Sequence, residues 1–582
     1  MHDLVIRGGT IIDGTGADRF VGDVAIDNGK ITSVGGTAGP GRKEYDATGK
    51  LVTPGWVDVH THYDGQATWD PELAPSSWHG VTTVMFGNCG VGFAPCKPTD
   101  HAALIDLMEG VEDIPGIVLD EGLKWDWESF PEFLDALERQ PRAIDVAAQM
   151  PHHPLRVYVM GQRAIDFEDA TPDDIEKMRE LTEEALKAGA FGFTTSRTES
   201  HRTTSGERVP GRYAKNDELI GIGEAFKAVD HGAYGMLNDF EDEAGEFEWM
   251  KKVGNDTGRP LWFLLTGRYS DPDRVNRLMK GVHAARDAGA SVTAQVANRA
   301  VGVILGLSTS LTPFSGRPSF AALNGLPHAE RLAKLKDPAM RAKILAEANS
   351  DELLGKLPPL QRAIATRWDR MYVMDDPPQY EPPEEAAVET AARQAGKEPQ
   401  EFVYDFLTEG EGKGMIMFPV TNFHTGDLEP VYEVMQDEAT IVGLGDGGAH
   451  CGQICDASMP TFMLTHWTRD RTKGGKFPIE WAVRRLTSET ADFFGFTDRG
   501  RLKPGLKADV NIIDYDKLMI RRPEVIFDLP AGGRRLVQRA EGYEVTICSG
   551  VPIFENGTHT GALPGKLVRA GQDAGITAVA AE

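Results

Sequence analysis

The run Leu51-Val-Thr-Pro-Gly-Trp-Val-Asp-Val-His-Thr-His-Tyr-Asp64 carries two imidazoles at the end of an apolar segment that reads as a strand. Side chains alternate faces along a strand, so His60 and His62, two apart, point the same way and can both reach one cation. The chemistry such a cation would bring is activation of water and polarisation of a carbonyl. An isolated His-x-His also fits a strand end that merely faces water. The surrounding residues decide between the two.

Those surroundings resemble the amidohydrolase superfamily, metal-dependent hydrolases whose first barrel strand ends in His-x-His after a Pro-Gly-(x)2-Asp lead-in. Pro54, Gly55, Asp58, His60 and His62 match that lead-in. Asp446, within Val442-Gly-Leu-Gly-Asp-Gly-Gly-Ala-His450, is similar to the aspartate that ends the eighth strand. The stretch Phe86-Gly-Asn-Cys-Gly-Val-Gly-Phe-Ala-Pro95 resembles the N-acyl-D-amino-acid deacylase (D-aminoacylase) branch, in which that cysteine is a zinc ligand. The resemblance spans nearly the whole chain. It implies an α/β fold, a (β/α)8 TIM-like barrel with a small discontinuous β-sandwich, and a metal-dependent hydrolase that cuts a linear amide, that of an N-acyl amino acid. It also implies a divalent metal, zinc, as one or two ions on His60, His62, Cys89 and Asp446. Asp446 would take the proton of the attacking water and pass it to the leaving amine. The other reading of Cys89 is a buried small hydrophobe, a common fate of free cysteine.

The sequence departs from that branch at two strand ends. The relatives carry a histidine at the end of the fifth strand and another at the sixth. Here Met236-Leu-Asn-Asp-Phe-Glu-Asp-Glu243 places Asn238 at the first position, and Leu265-Thr-Gly-Arg268 has no histidine. Either the metal moves to the first-strand pair with Asp446, or His153, His201 or His450 substitutes, or the metal is lost. The first is preferred, because two imidazoles and a carboxylate already make the three ligands of a catalytic zinc and leave a position for water. His201 and His450 then read as substrate-facing or structural. Arg197, Arg202 and Arg268 are candidates to clamp a substrate carboxylate, or else surface arginines. Asn238 is a candidate donor to the substrate carbonyl.

These residues need strands to hold them. A chain of 582 residues accommodates a barrel, about 250 residues in itself, with accessory parts. Residues 1–52 read as short strands between Gly, Asp and Asn turns, with Asn28-Gly29 a strong hairpin signal. Residues 496–570 read the same way, so the two ends are expected to join in a β-sandwich. The barrel occupies 53–495, with Met415–Phe418 and Thr440–Leu444 as its closing strands. Thr171-Pro-Asp-Asp174 opens a helix that runs through Leu186. A Pro-rich, helical stretch over about 312–413 exceeds an ordinary βα loop and reads as an insertion covering the mouth or forming a subunit contact. Residues 571–582 read as a mobile tail.

With 88 acidic against 61 basic residues, net charge −27, nucleic acid and anionic membrane are excluded as expected partners. The N-terminus lacks a signal-peptide pattern and no apolar run is long enough to span a bilayer, so a soluble cytoplasmic protein without membrane insertion is expected. Five cysteines make no disulfide framework. The expected partner is a small-molecule substrate, and the insertion favours a homo-oligomer. Two other functions stand beside linear amide hydrolysis. One is cyclic-amide hydrolysis of the dihydropyrimidinase or hydantoinase type, against which counts the lack of a lysine near Gln149–His153. The other is a catalytically inert barrel used as a binding protein.

Overall fold

The computed structural model describes residues 1–572. Its centre is a series of short, wholly buried parallel strands rich in Val, Phe, Leu and Ala, the composition of strands covered on both faces. Trp56–Asp58, Val81–Phe86 and Asp145–Ala148 form one three-stranded parallel sheet. Met150–Pro151, Gly192–Arg197, Ala233–Asn238, Leu261–Leu265, Val292–Val296 and Thr440–Val442 form a second, six-stranded sheet, neighbours in that order. Strand ladders therefore stop at two seams, where single backbone bonds take over. Across one, the Phe191 N–H donates to the Ala148 carbonyl at 2.8 Å. Across the other, the Asp446 N–H donates to the His60 carbonyl at 2.9 Å and the His62 N–H to the Gly447 carbonyl at 2.8 Å.

Helices connect the parallel strands. Pro172–Ala188 starts on a capping box in which Thr171 and Asp174 satisfy each other's backbone N–H groups, and stops at Gly189 in the left-handed region. His101–Glu112 follows the second strand and buries Leu104, Leu107, Met108, Val111 and Glu112.

The chain termini share a different sheet, of nine strands. Lys30–Val34, Phe20–Asp27, His2–Ile11 and Leu51–Pro54 lie side by side, and Leu51–Pro54 pairs antiparallel with Val510–Ile513, which leads on to Tyr543–Cys548 and Val551–Glu555. Asp27 pairs with Lys30 around the Asn28-Gly29 turn. Leu4, Ile6, Val24, Ile26, Val52, Val510, Ile512 and Ile547 form its core.

One expected strand goes elsewhere. Ile416–Thr421 does not join the parallel sheets; it pairs antiparallel with Val301–Leu305 and Tyr372–Val373. Together they floor a separate hydrophobic cluster that includes Phe314, Leu335, Ile344, Val403, Leu407 and Phe418. Periodicity cannot tell a buried parallel strand from a buried antiparallel one, which is why Met415–Phe418 misled. No helix among the described residues is long and apolar enough to cross a membrane. Most of the tail, 573–582, lies outside the described residues.

Candidate active site

The lead-in to the histidines is held by backbone contacts that allow little else. The Asp58 carboxylate accepts from the His60 N–H at 3.3 Å. Gly445 lies so close to it that an added Cβ would come 2.0 Å from Asp58 Oδ2. The first-strand end and the 442–450 loop are thereby pressed together, which carries Asp446 over the histidines. Asp446 Oδ1 is 3.7 Å from His60 Nε2 and 3.6 Å from His62 Nε2.

Cys89 arrives from the second strand by a tight turn. Gly87 has φ of 80°, and a Cβ there would come 2.2 Å from the Gln149 carbonyl oxygen. The Asn88 amide then donates to the Thr61 and Met85 carbonyls at 3.1 and 3.0 Å, fixing the bend. The Cys89 sulfur sits 3.5 Å from His60 Nε2. Ligand atoms of His60, His62 and Cys89 all lie within 4.8 Å of one another. Cys89, Asp446 and His450 adopt positive φ of 55°, 47° and 51°, a conformation non-glycine residues hold only where their surroundings impose it.

Second contacts orient these groups. His60 Nδ1 lies 2.5 Å from the Gln295 side-chain oxygen, which accepts its proton and leaves the Nε2 lone pair directed at Cys89 and Asp446. Glu112, 1% exposed, places Oε1 3.4 Å from His62 Nδ1 and Oε2 3.6 Å from His450 Nε2. The sequence reading missed Glu112. Its signal was an acid directly after Val111 on the apolar face of a helix.

The electrostatics are those of a site that wants a cation. Burial, then the charge of Glu112, raises the Asp446 carboxyl well above its ordinary value. Burial, then Asp64, pushes Glu112 up to about 8. Burial, then Glu112 and Asp446, raises the Cys89 thiol as well. Burial lowers His60 to about 4. Asp446 Oδ1 and His62 Nδ1 are buried without a hydrogen-bond partner. Several buried acids with no buried cation among them are expensive to ionise, and a bound divalent ion removes that cost. Imidazole, thiol and carboxylate are a donor set that fits zinc.

These side chains line a cavity of about 530 Å3. His201, Arg268 and His450 join His60, His62, Cys89 and Asp446 there. Asn238 and Arg202 are not on its wall. The Asn238 side-chain oxygen turns back to accept from the Phe240 N–H at 2.5 Å, closing a local turn. The Arg202 guanidinium is spent on the Glu199 and Gly206 carbonyls of its own loop. Arg197 is buried against Asn216 and Glu246. Residues the sequence did not suggest line it too: Asp239, 2.6 Å from Arg268, and Tyr269 and Arg370, whose guanidinium lies 3.5 Å over the Tyr269 ring.

The family model described as the amidohydrolase family matches residues 43–554. The chain belongs to the amidohydrolase family. This amidohydrolase is 26% identical over 577 residues to the D-aminoacylase of Alcaligenes xylosoxydans xylosoxydans, covering 97% of each chain. It is 27% identical over 583 residues to the N-acyl-D-glutamate deacylase of the same organism, covering 99% of this chain and 97% of that one. Its fold matches the crystal structure of the N-acyl-D-glutamate deacylase of Bordetella bronchiseptica, complexed with zinc and a phosphonate mimic of the tetrahedral intermediate. There the TM-score is 0.62 at 24% identity, over 98% of this chain and all of that one. Family membership makes the chain a hydrolase of carbon–nitrogen bonds other than peptide bonds.

Proposed function

We propose that this amidohydrolase removes the acyl group from an N-acyl amino acid, as the names of its full-length relatives suggest. The observation that carries the reading is the convergence of Asp446 Oδ1 on both first-strand imidazoles, at 3.7 and 3.6 Å, with the Cys89 sulfur beside them in one cavity. The two parallel sheets are read as one (β/α)8 barrel over 53–495, supported by the backbone bonds at their seams. Residues 1–52 and 496–570 are read as the discontinuous β-sandwich, and 312–413 as an insertion at the mouth.

A divalent metal, zinc by its donor set, would be held by His60, His62, Cys89 and Asp446, and supplies Lewis acidity and a more acidic water. The chain's own residues do the rest. Asp446, desolvated and within reach of both imidazoles, accepts the proton of the attacking water. As the C–N bond breaks it returns that proton to the amine nitrogen, so the products are a carboxylate and an amine. Leu237, Leu264, Val301 and Leu444 give the cavity an apolar wall for an acyl chain, and Arg268 and Arg370 face it with positive charge suited to a carboxylate.

The test is amine release from a panel of N-acyl-D- and N-acyl-L-amino acids, with and without chelator, alongside metal analysis of the purified protein. Turnover of acyl amino acids that chelator abolishes and zinc restores is the expected result. Turnover of cyclic amides alone would replace this reading, and His60→Ala with wild-type activity would end it.

A further inference from the structure

His201 lines the cavity, yet its ring is held from behind by a hydrogen-bond chain that reaches into the protein. The Gly211 backbone N–H points at His153 Nδ1 at 3.0 Å. His153 Nε2 lies 2.9 Å from Ser196 Oγ, and Ser196 Oγ lies 3.1 Å from His201 Nδ1. His153 and Ser196 are fully buried.

One fixed donor settles the tautomer of His153 and orders the rest of the chain from there. A backbone N–H can only donate, so His153 Nδ1 is an acceptor and carries no proton. The proton of neutral His153 is therefore on Nε2, and it is donated to Ser196 Oγ. The Ser196 hydroxyl hydrogen has one other imidazole nitrogen in reach, His201 Nδ1; donated there, it makes that nitrogen an acceptor and leaves the His201 ring proton on Nε2. That nitrogen has no hydrogen-bond partner among the described residues, and it is on the ring edge turned away from Ser196. A ring nitrogen that accepts a hydrogen bond carries no proton, so His153 is neutral, and so is His201 in this arrangement.

We infer that His201 is a catalytic residue that donates its Nε2–H to the carbonyl oxygen of the scissile amide, with Ser196 and His153 as positioning residues that lock the tautomer. A neutral imidazole is well matched to this role. It strengthens its hydrogen bond as negative charge develops on the oxygen and transfers no proton. The loop that carries His201 follows the strand Gly192–Arg197, so the donor is anchored to the same parallel sheet as the cavity-lining Leu237 and Leu264. The helix His152–Met160 that supplies His153 is itself pinned through Glu218, which lies 2.9 Å from both His152 Nε2 and Arg156 Nε. The inference rests on the amide-hydrolysis reading above.

The test pairs kinetics with spectroscopy on the zinc-loaded full chain. His201→Ala is expected to lower kcat about 10²- to 10³-fold with little change in KM, the loss that follows removal of one donor to a developing oxyanion. Ser196→Ala should lower kcat about tenfold, again without moving KM, and Ser196→Thr, which keeps the hydroxyl, should restore it. In protein labelled with ¹⁵N-histidine, the His201 signal, assigned by its loss in His201→Ala, should show protonated Nε2 in the wild type and in Ser196→Thr, and a tautomer mixture in Ser196→Ala. A wild-type His201 proton on Nδ1, or a Ser196→Ala enzyme with unchanged kcat, overturns the inference on its own. Absence of amide turnover with the Nε2 proton in place overturns the proposed reaction, and the role of this N–H with it.

Discussion

Asp145 begins the third parallel strand and is 2% exposed, yet it is ionised. Its Oδ2 lies 2.6 Å from Arg499 Nη1 and 2.9 Å from Lys507 Nζ, and its Oδ1 accepts the Lys566 N–H at 2.8 Å. One carboxylate therefore ties a strand below the active site to three points of the C-terminal segment. Burial alone would raise its pKa, but Lys507 and Arg499 outweigh burial and bring it down to about 2. Asp145→Asn keeps the shape and removes the charge, leaving two buried cations short of a partner. Breaking a buried pair in this way costs about 3–5 kcal/mol. The low end applies here, because Asp498 stays at 2.8 Å from Arg499 and Asp509 at 2.6 Å from Lys507. A chain of 582 residues unfolding as one unit has a melting entropy of ~1.2 kcal/mol/K, so ~3 kcal/mol moves Tm by about 2–3 °C. The pKa is depressed on folding, so the contribution is complete above pH ~4 and fades as pH falls toward 2. Calorimetry at one scan rate, on wild type and Asp145→Asn at pH 7 and at pH 3, should show the 2–3 °C gap at pH 7 and a smaller one at pH 3. An unchanged Tm at pH 7, or a gap that persists undiminished in acid, would refute the reasoning.

Two further outcomes follow from the site. Gln295→Ala removes the acceptor that holds the His60 tautomer, and zinc affinity measured by competition with a chromophoric chelator should fall about 10- to 100-fold. Arg370→Ala removes a cavity-wall guanidinium that has no carboxylate within ion-pair distance among the described residues. KM for N-acyl amino acids should rise at least tenfold, while their methyl esters, turned over by wild type and variant alike, should show little difference.

The residues legible in the sequence are those whose function depends on local spacing. His60 and His62 lie just past the strand Trp56–Asp58, not on it as alternation suggested, yet their two-residue spacing still brings both rings to one cavity, and the capping box at Thr171 and the Asn28-Gly29 turn are read from neighbours three residues apart or fewer. Asp446 and Cys89 could be named by resemblance because short, glycine-rich turns carry them, and such turns keep their form in sequence. Glu112, Gln295, Asp239 and Arg370 come from a helix end, a strand, a strand-to-helix loop and the region around 312–413. No periodicity links them, and tertiary packing alone brings Glu112, Asp239 and Arg370 to the cavity and Gln295 to the back of the His60 ring. The same limit explains Asn238. Its place at a strand end suggested a substrate contact, but an asparagine side chain two residues before a free backbone N–H closes on it at once, and that local bond outcompeted the cavity. A strand-end polar residue is thus a sound prediction of a site residue when its side chain is too long to bond its own turn, as with Arg268. It is a poor one for Asn, Asp, Ser and Thr unless the turn's N–H groups already have partners. At Asp446 it is the backbone carbonyl, not the side chain, that takes a turn N–H, that of Ala449 at 3.1 Å, and the carboxylate faces the histidines instead.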